Sequence, residues 1–198
     1  MTEERGREAL ITVGTTEFNE LLKELDQPNF IQILFDNKFS KLVLQIGRGK
    51  DNFHYLSQDY INSQPNYRGK FEIIVYKYVD KFTDFMKSFD LIIGHAGAGT
   101  LLDIVYVVNE SLQKNAAKIS FPYVMVINDT LQGNHQLELG NALAESEFFL
   151  ITYPEKILDS INRCLQRNLR ESCSGSSILS KFPIYDSENF KAFMEDVV

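Results

Sequence analysis

Residues 91–105, LIIGHAGAGTLLDIV, set three glycines, a histidine, a threonine and an aspartate between apolar runs. Glycine lets backbone approach a bulky anion closely, and a helix beginning near Thr100 would present unpaired N–H groups carrying a partial positive charge. That combination suits a phosphate group, held by the backbone from Gly97 through Ala98 and Gly99 to Thr100. The Thr100 hydroxyl and the His95 imidazole are further donors. Asp103 lies three residues beyond Thr100, and an ionised carboxylate is a natural bidentate acceptor for ribose hydroxyls. It would equally complement the dipole of a first helical turn, worth about 0.3–1 kcal/mol, and spacing alone leaves both roles open.

Two familiar nucleotide motifs do not explain this loop. In a GxGxxG reading Gly97 and Gly99 take the first two places, but Leu102 occupies the third, where close helix packing calls for glycine. A Walker loop is excluded because no Gly-Lys-[Ser/Thr] follows. A second polar stretch, NDTLQGNHQ at 128–136, places Asn134, His135 and Gln136 where another helix would begin. Amide and imidazole donors there suit sugar hydroxyls, with N-capping as the plainer alternative. Gly14 and Thr15 in GTTEF, and Arg48 and Lys50 in GRGKDN, are weaker candidates of the same kind.

These residues need elements to position them. Short apolar runs occur at 9–13, 41–46, 71–76, 91–93, 123–127 and 148–151, several apolar throughout, as in strands buried on both faces of a parallel sheet. Between them lie segments with helical periodicity: FNELLKEL, DKFTDFMKSF, TLLDIVYVV, HQLELGNALAE and EKILDSINRCLQR. The alternation predicts an α/β fold, a Rossmann-like parallel sheet with helices on both faces. In such sheets ligands bind at the carboxyl ends of the strands, where all four loops above fall. Residues 109–121 read as a polar surface loop. Residues 171–180 read as a serine-rich linker, followed by a terminal amphipathic helix with Phe190, Phe193, Met194 and Val197 on one face. The expected division is one domain over 1–170 and a tail over 171–198 available for partner contact.

Composition narrows the classes. At 198 residues, 44% apolar and 24% charged, the chain has a globular make-up. The net charge of −7, with scattered basic residues, argues against nucleic acid and against direct attachment to an anionic membrane. No stretch reaches the ~20 apolar residues of a spanning helix, and no signal peptide is evident. The expected location is cytoplasmic. Cys164 and Cys173 are the only cysteines, with no spacing for zinc or redox work, and no Asp-x-Asp or ligand cluster suggests a metal.

HAGAGTLLD at 95–103, followed by NDTLQGNHQLELGNAL at 128–143, resembles the donor-binding half of GT-B glycosyltransferases that use UDP-sugars. With LITVGTTEFNELL and LVLQIGRG, the chain to about residue 150 is similar to the catalytic subunits of the fungal UDP-N-acetylglucosamine transferases that add the second sugar to dolichol-diphosphate, relatives of the bacterial lipid II synthase. The resemblance implies the C-terminal half of a GT-B enzyme. His95 and Gly97 to Thr100 would face the UDP diphosphate, Asp103 the ribose, and Asn134, His135 and Gln136 the N-acetylglucosamine hydroxyls. It further implies inverting transfer to a dolichol-linked acceptor without metal or cofactor. A GT-B enzyme needs two Rossmann-like domains, and this length supplies one. The resemblance assigns the other to a membrane-anchored subunit that holds this chain at the cytosolic face of the endoplasmic reticulum. The competing classes are a non-catalytic nucleotide-binding module and an NAD- or flavin-binding domain.

Overall fold

A computed structural model describes residues 5–113, 123–128 and 149–174. Its centre is a sheet of six strands: β1 (Arg7–Thr12), β2 (Phe39–Gln45), β3 (Glu72–Tyr76), β4 (Leu91–His95), β5 (Tyr123–Val126) and β6 (Phe149–Thr152). All neighbouring pairs are parallel and the order is β3-β2-β1-β4-β5-β6. The apolar runs are strands because both faces of the sheet are covered. Ala9, Leu10 and Ile11 of β1, and Leu91, Ile92 and Ile93 of β4, are fully buried. At the edge, β3 shows exposed ends instead.

Successive side chains along a strand point to opposite faces, which divides the apolar residues into two cores. On one face Ala9, Ile11, Leu44 and Ile93 pack with residues of α1 (Asn19–Leu25), α2 (Pro28–Asp36) and α6 (Ile157–Ser174). On the other, Leu10, Val43, Ile92 and Met125 pack with α4 (Phe82–Met86) and α5 (Ala98–Gln113). A short α3 (Gln58–Ser63) precedes β3. Strand order runs outward from β1 to β3, then jumps back across β1 to β4. Right-handed crossovers demand that the helices change face at that jump. The crevice at the carboxyl ends of β1 and β4 follows from it.

Three boundaries differ from expectation. α5 begins at Ala98 and continues to Gln113, so Asn109 to Gln113 are helical rather than loop. No proline or glycine interrupts it after Gly99, and Glu110 lies 2.6 Å from Lys87, just beyond α4. α6 runs to Ser174, taking in the first residues of the expected serine-rich linker and crossing the expected boundary at 170. Residues 114–122, 129–148 and 175–198 lie outside the described residues, and with them the rest of those two stretches and the C-terminal amphipathic segment. The third difference is α2, which, like the short α3, is not among the expected helices. Pro28 occupies its first turn, where its missing N–H costs nothing, and Phe30, Ile31 and Leu34 are buried.

The link between α1 and α2 also holds the long loop after β2. Oδ1 of Asp26 accepts from the backbone N–H groups of Tyr55 (2.7 Å) and Leu56 (2.8 Å), and Oδ2 from that of His54 (3.0 Å). Asp26→Ala removes all three acceptor contacts, so we expect a loss of about 2 kcal/mol of unfolding free energy in a urea titration. Faster amide exchange should be confined to 54–56. An unchanged midpoint would show that water replaces the carboxylate without cost.

Candidate functional site

The loops after β1, β2 and β3 are tied together by one buried amide. Gln45, the last residue of β2, accepts from the Thr12 hydroxyl at 2.6 Å. Its Nε2 donates to the carbonyl oxygens of Gly14 and Lys77, each at 2.7 Å. Thr12 Oγ1 in turn accepts from the Gly14 N–H at 3.2 Å. The Gly47 N–H reaches the Lys77 carbonyl at 3.0 Å, and the Arg48 N–H reaches that of Thr16 at 3.1 Å. Burying an amide this deeply is tolerable because its oxygen and nitrogen both have partners. The result is a rigid rim rather than three independent loops.

His95 ends β4 and is only 6% exposed. Its ring is wedged between two glycines. A Cβ on Gly14, whose φ is +65°, would lie 2.7 Å from His95 Cε1, and a Cβ on Gly97 would overlap Nε2. Gly94 is needed for another reason: a Cβ there would lie 2.7 Å from the Tyr123 hydroxyl, which donates to the His95 carbonyl at 3.3 Å. Burial lowers the His95 pKa from 6.5 to about 4, so the imidazole is neutral at physiological pH, with one nitrogen donating and one accepting. Its Nδ1 is buried with no hydrogen-bond partner among the described residues. An orphaned polar atom of this kind costs about 1–3 kcal/mol, and such costs cluster where a ligand is bound.

These elements enclose a cavity of about 440 Å³ at the point where strand order reverses. Of the expected residues, Gly14, Thr15, His95, Gly97, Gly99, Thr100 and Asp103 line it together. Ala98 opens α5 between them. Asp103 sits in the second turn of α5, half-buried, and hydrogen-bonds to no described residue. The dipole role is thereby weakened, since that effect fades beyond the first turn. Burial raises the Asp103 pKa, as expected of a carboxylate losing water without gaining a partner. Arg48 and Lys50 are exposed and are not among the lining residues. Asn134, His135 and Gln136 lie outside the described residues.

Thr16 of the GTTEF loop lines the cavity beside Thr15, and part of the wall is not anticipated from sequence: Gln45, Tyr78, Val79 and Phe82 also line it, the last three from the loop after β3 and the start of α4. The rule that ligands sit at carboxyl strand ends points to that loop as much as to the others, and YVDKF is its aromatic and apolar signal. The cavity therefore offers an apolar wall for a flat ring, a helix N-terminus with neutral donors for an anion, and a carboxylate for hydroxyls. A second open groove lined by Lys156, Asp159, Asn162, Arg163 and Gln166 has no such convergence, being built from α6 and the turn preceding it.

The sequence profile of the glycosyltransferase family 28 C-terminal domain matches residues 9–187. The UDP-N-acetylglucosamine transferase subunit ALG13 of Mus musculus is 35% identical over 147 residues, covering 74% of this chain and 11% of the mouse protein. That of Saccharomyces cerevisiae is 22% identical over 210 residues, covering 95% and 94%. The solution structure of ALG13 superposes with a TM-score of 0.55 at 22% identity, covering 98% of this chain and 96% of the other. MurG of Acinetobacter baumannii superposes with 0.53 at 16% identity, covering 85% and 43%. At these identities the two structures speak for the fold alone, a Rossmann-like parallel sheet with helices on both faces. The chain spans only about 11% of the length of its mammalian relatives.

Two measurements probe this geometry. Gly97→Ala must push the His95 ring aside and should cost about 1–3 kcal/mol of stability, whereas a Cβ on Gly99 meets nothing within 4 Å and Gly99→Ala should fold with undiminished stability. Equal losses in both variants would refute the view that Gly97 makes room for the His95 ring while Gly99 makes room for nothing in the protein. Because burial depresses the His95 pKa, the unfolded chain takes up a proton between pH 6.5 and about 4 that the folded chain refuses. Stability is then fully present above pH 6.5 and falls by up to about 3 kcal/mol as pH drops toward 4. Subtracting the pH profile of His95→Gln from that of the parent should isolate this loss. A flat difference would mean that the ring ionises freely.

Proposed function

Since the chain belongs to the glycosyltransferase family 28 C-terminal domain family, we propose that it is the catalytic, donor-binding subunit of a two-subunit inverting transferase. The enzyme moves N-acetylglucosamine from UDP-N-acetylglucosamine to N-acetylglucosaminyl-diphosphodolichol. The observation that carries this reading is the convergence, on one cavity at the β1/β4 reversal, of the α5 N-terminus, the neutral His95 and the unpartnered Asp103. The naming of relatives as UDP-N-acetylglucosamine transferase subunits supports the donor and the need for a partner.

On this reading the diphosphate lies over Gly97 to Thr100, receiving backbone N–H groups, the Thr100 hydroxyl and one His95 nitrogen. Asp103 accepts from the ribose hydroxyls, and Tyr78, Val79 and Phe82 flank the base. Asn134, His135 and Gln136 read the sugar. An acceptor hydroxyl oxygen bonds to the anomeric carbon as the bond from that carbon to the β-phosphate oxygen breaks, and the electron pair leaves with UDP. The acceptor's proton passes to a base that this chain is not assigned. Charge grows on the diphosphate, and donors fixed before the reaction stabilise it without reorganising. The acceptor half comes from a membrane-anchored subunit that recruits the chain to the cytosolic face of the endoplasmic reticulum, with residues 171–198 as the contact surface. No helix among the described residues is long and apolar enough to cross a membrane.

Asp103 gives the decisive test, because the proposed role and a merely structural one move stability and activity in different directions. Its raised pKa means that the fold disfavours the charge, so Asp103→Asn should stabilise the free chain at neutral pH. The same variant should raise the donor KM by about 5- to 150-fold in transfer assays with the partner subunit, the equivalent of about 1–3 kcal/mol. An unchanged donor KM would remove the ribose role. Absence of sugar transfer with the partner present would remove the transferase reading.

A further inference from the structure

We propose that the cation offsetting the diphosphate is supplied in trans: a lysine or arginine of the second subunit enters the cavity mouth beside Thr15 and Tyr78. The inference rests on the donor-site reading above and adds to it the chemistry that the partner must bring. Among the described residues, those lining the cavity include no lysine or arginine, and the one charged side chain there is the carboxylate of Asp103. Against an anion that gains about one further negative charge as UDP departs, this domain sets the α5 N-terminus, equivalent to roughly half a positive charge. The hydroxyls of Thr15, Thr16, Tyr78 and Thr100, the Gln45 amide already engaged by the rim, and the His95 ring are the remaining polar side chains of the lining, and burial keeps that ring uncharged.

Among the described residues, the other cations near this edge of the sheet are poorly placed. Arg48, Lys50, Lys77 and Lys81 occupy neighbouring loops, but all four are exposed and none is a lining residue. It is the Lys77 carbonyl, not its ammonium, that the rim uses. Residues 129–148, which follow β5 in the chain and lie outside the described residues, contain no lysine or arginine by sequence. A divalent cation would find one carboxylate in the lining, Asp103, and among the described residues no three acidic, histidine or cysteine side chains cluster to hold a metal. The mouth, in contrast, is open to another chain: Tyr78 is 56% exposed and Thr15 is exposed as well. A side chain arriving from outside would meet the diphosphate in a low-dielectric setting, where a charge-assisted contact is strongest. It would also make the donor site complete only when the acceptor half is docked.

The experiment compares UDP with uridine by calorimetry, on the 198-residue chain alone and on its complex with the second subunit, each in EDTA and in Mg²⁺. For the isolated chain UDP should bind less than about tenfold tighter than uridine, and for the complex more than about a hundredfold tighter, in EDTA as in Mg²⁺. Thr15→Lys, which places a cation at the mouth in cis, should raise the preference of the isolated chain for UDP by about tenfold. A hundredfold preference in the unmodified isolated chain would overturn the proposal. So would a preference that appears with Mg²⁺ in the absence of the subunit. Loss of the preference in the complex on joint replacement of Arg48, Lys77 and Lys81 by alanine would place the cation in cis and overturn it too. If neither uridine nor UDP binds in either form, the donor-site reading itself fails, an outcome distinct from the other three.

Discussion

The parallel pairing of β1 with β4 decides where everything else in the site can be. Ala9 to Thr12 align with Leu91 to Gly94, so the two strands end together and Gly14 comes to lie against His95. Because the chain reaches β4 only after building outward to β3, the loops at this pair leave toward opposite faces, and a crevice opens between them. A different neighbour for β1 would separate Gly14 from His95 and leave α5 without a floor at its N-terminus. The cavity is thus a consequence of topology first and of side chains second, as in other doubly wound sheets.

Within that frame the polar residues share the work unevenly. Gln45 has partners on both amide atoms, accepting from the Thr12 hydroxyl and donating to two backbone carbonyls, and so holds three loops in one arrangement. His95 is held by packing alone on its ring, while its Nδ1 and the Asp103 carboxylate face no described partner. A fully satisfied buried network rigidifies, and a partly satisfied one costs free energy. The contrast separates the groups that hold the scaffold from those that the described fold leaves unsatisfied. The glycines divide likewise. Gly14 and Gly97 make room for the imidazole, and Gly99 makes room for nothing in the protein.

The strands were readable because being buried on both faces leaves an unbroken apolar run, and all six expected runs are strands. α2 was harder to see, since PNFIQILFD follows α1 after two residues and blends with its periodicity. The end of α5 is hard to place from sequence because NESLQ is polar apart from Leu112, and polarity alone does not end a helix. In the site, the glycine loop and Asp103 were legible from residue type and spacing. Gln45 was not, because one amide closing an apolar strand looks like the edge of the core until its three partners are known. Of Tyr78, Val79 and Phe82, only Phe82 falls within an expected helix, DKFTDFMKSF, and only the strand order brings all three to the cavity beside His95.

The electrostatics of the domain run against its proposed ligand at long range. A chain of net charge −7 repels an anionic nucleotide sugar, although salt screens that repulsion beyond about 8 Å at physiological ionic strength. What binds an anion here must act at contact distance, through N–H dipoles, hydroxyls and a neutral imidazole already in place. Such groups cost little to bury and are well suited to a charge that appears only during reaction. They are poorly suited to holding a diphosphate tightly in the ground state. A site arranged this way favours loose donor binding until more positive charge arrives, and the unpaired carboxylate of Asp103 deepens that bias. The domain keeps two stability costs, the buried Nδ1 of His95 and the half-buried Asp103, within one cavity, and sites that retain such costs are sites shaped for a ligand rather than for the fold.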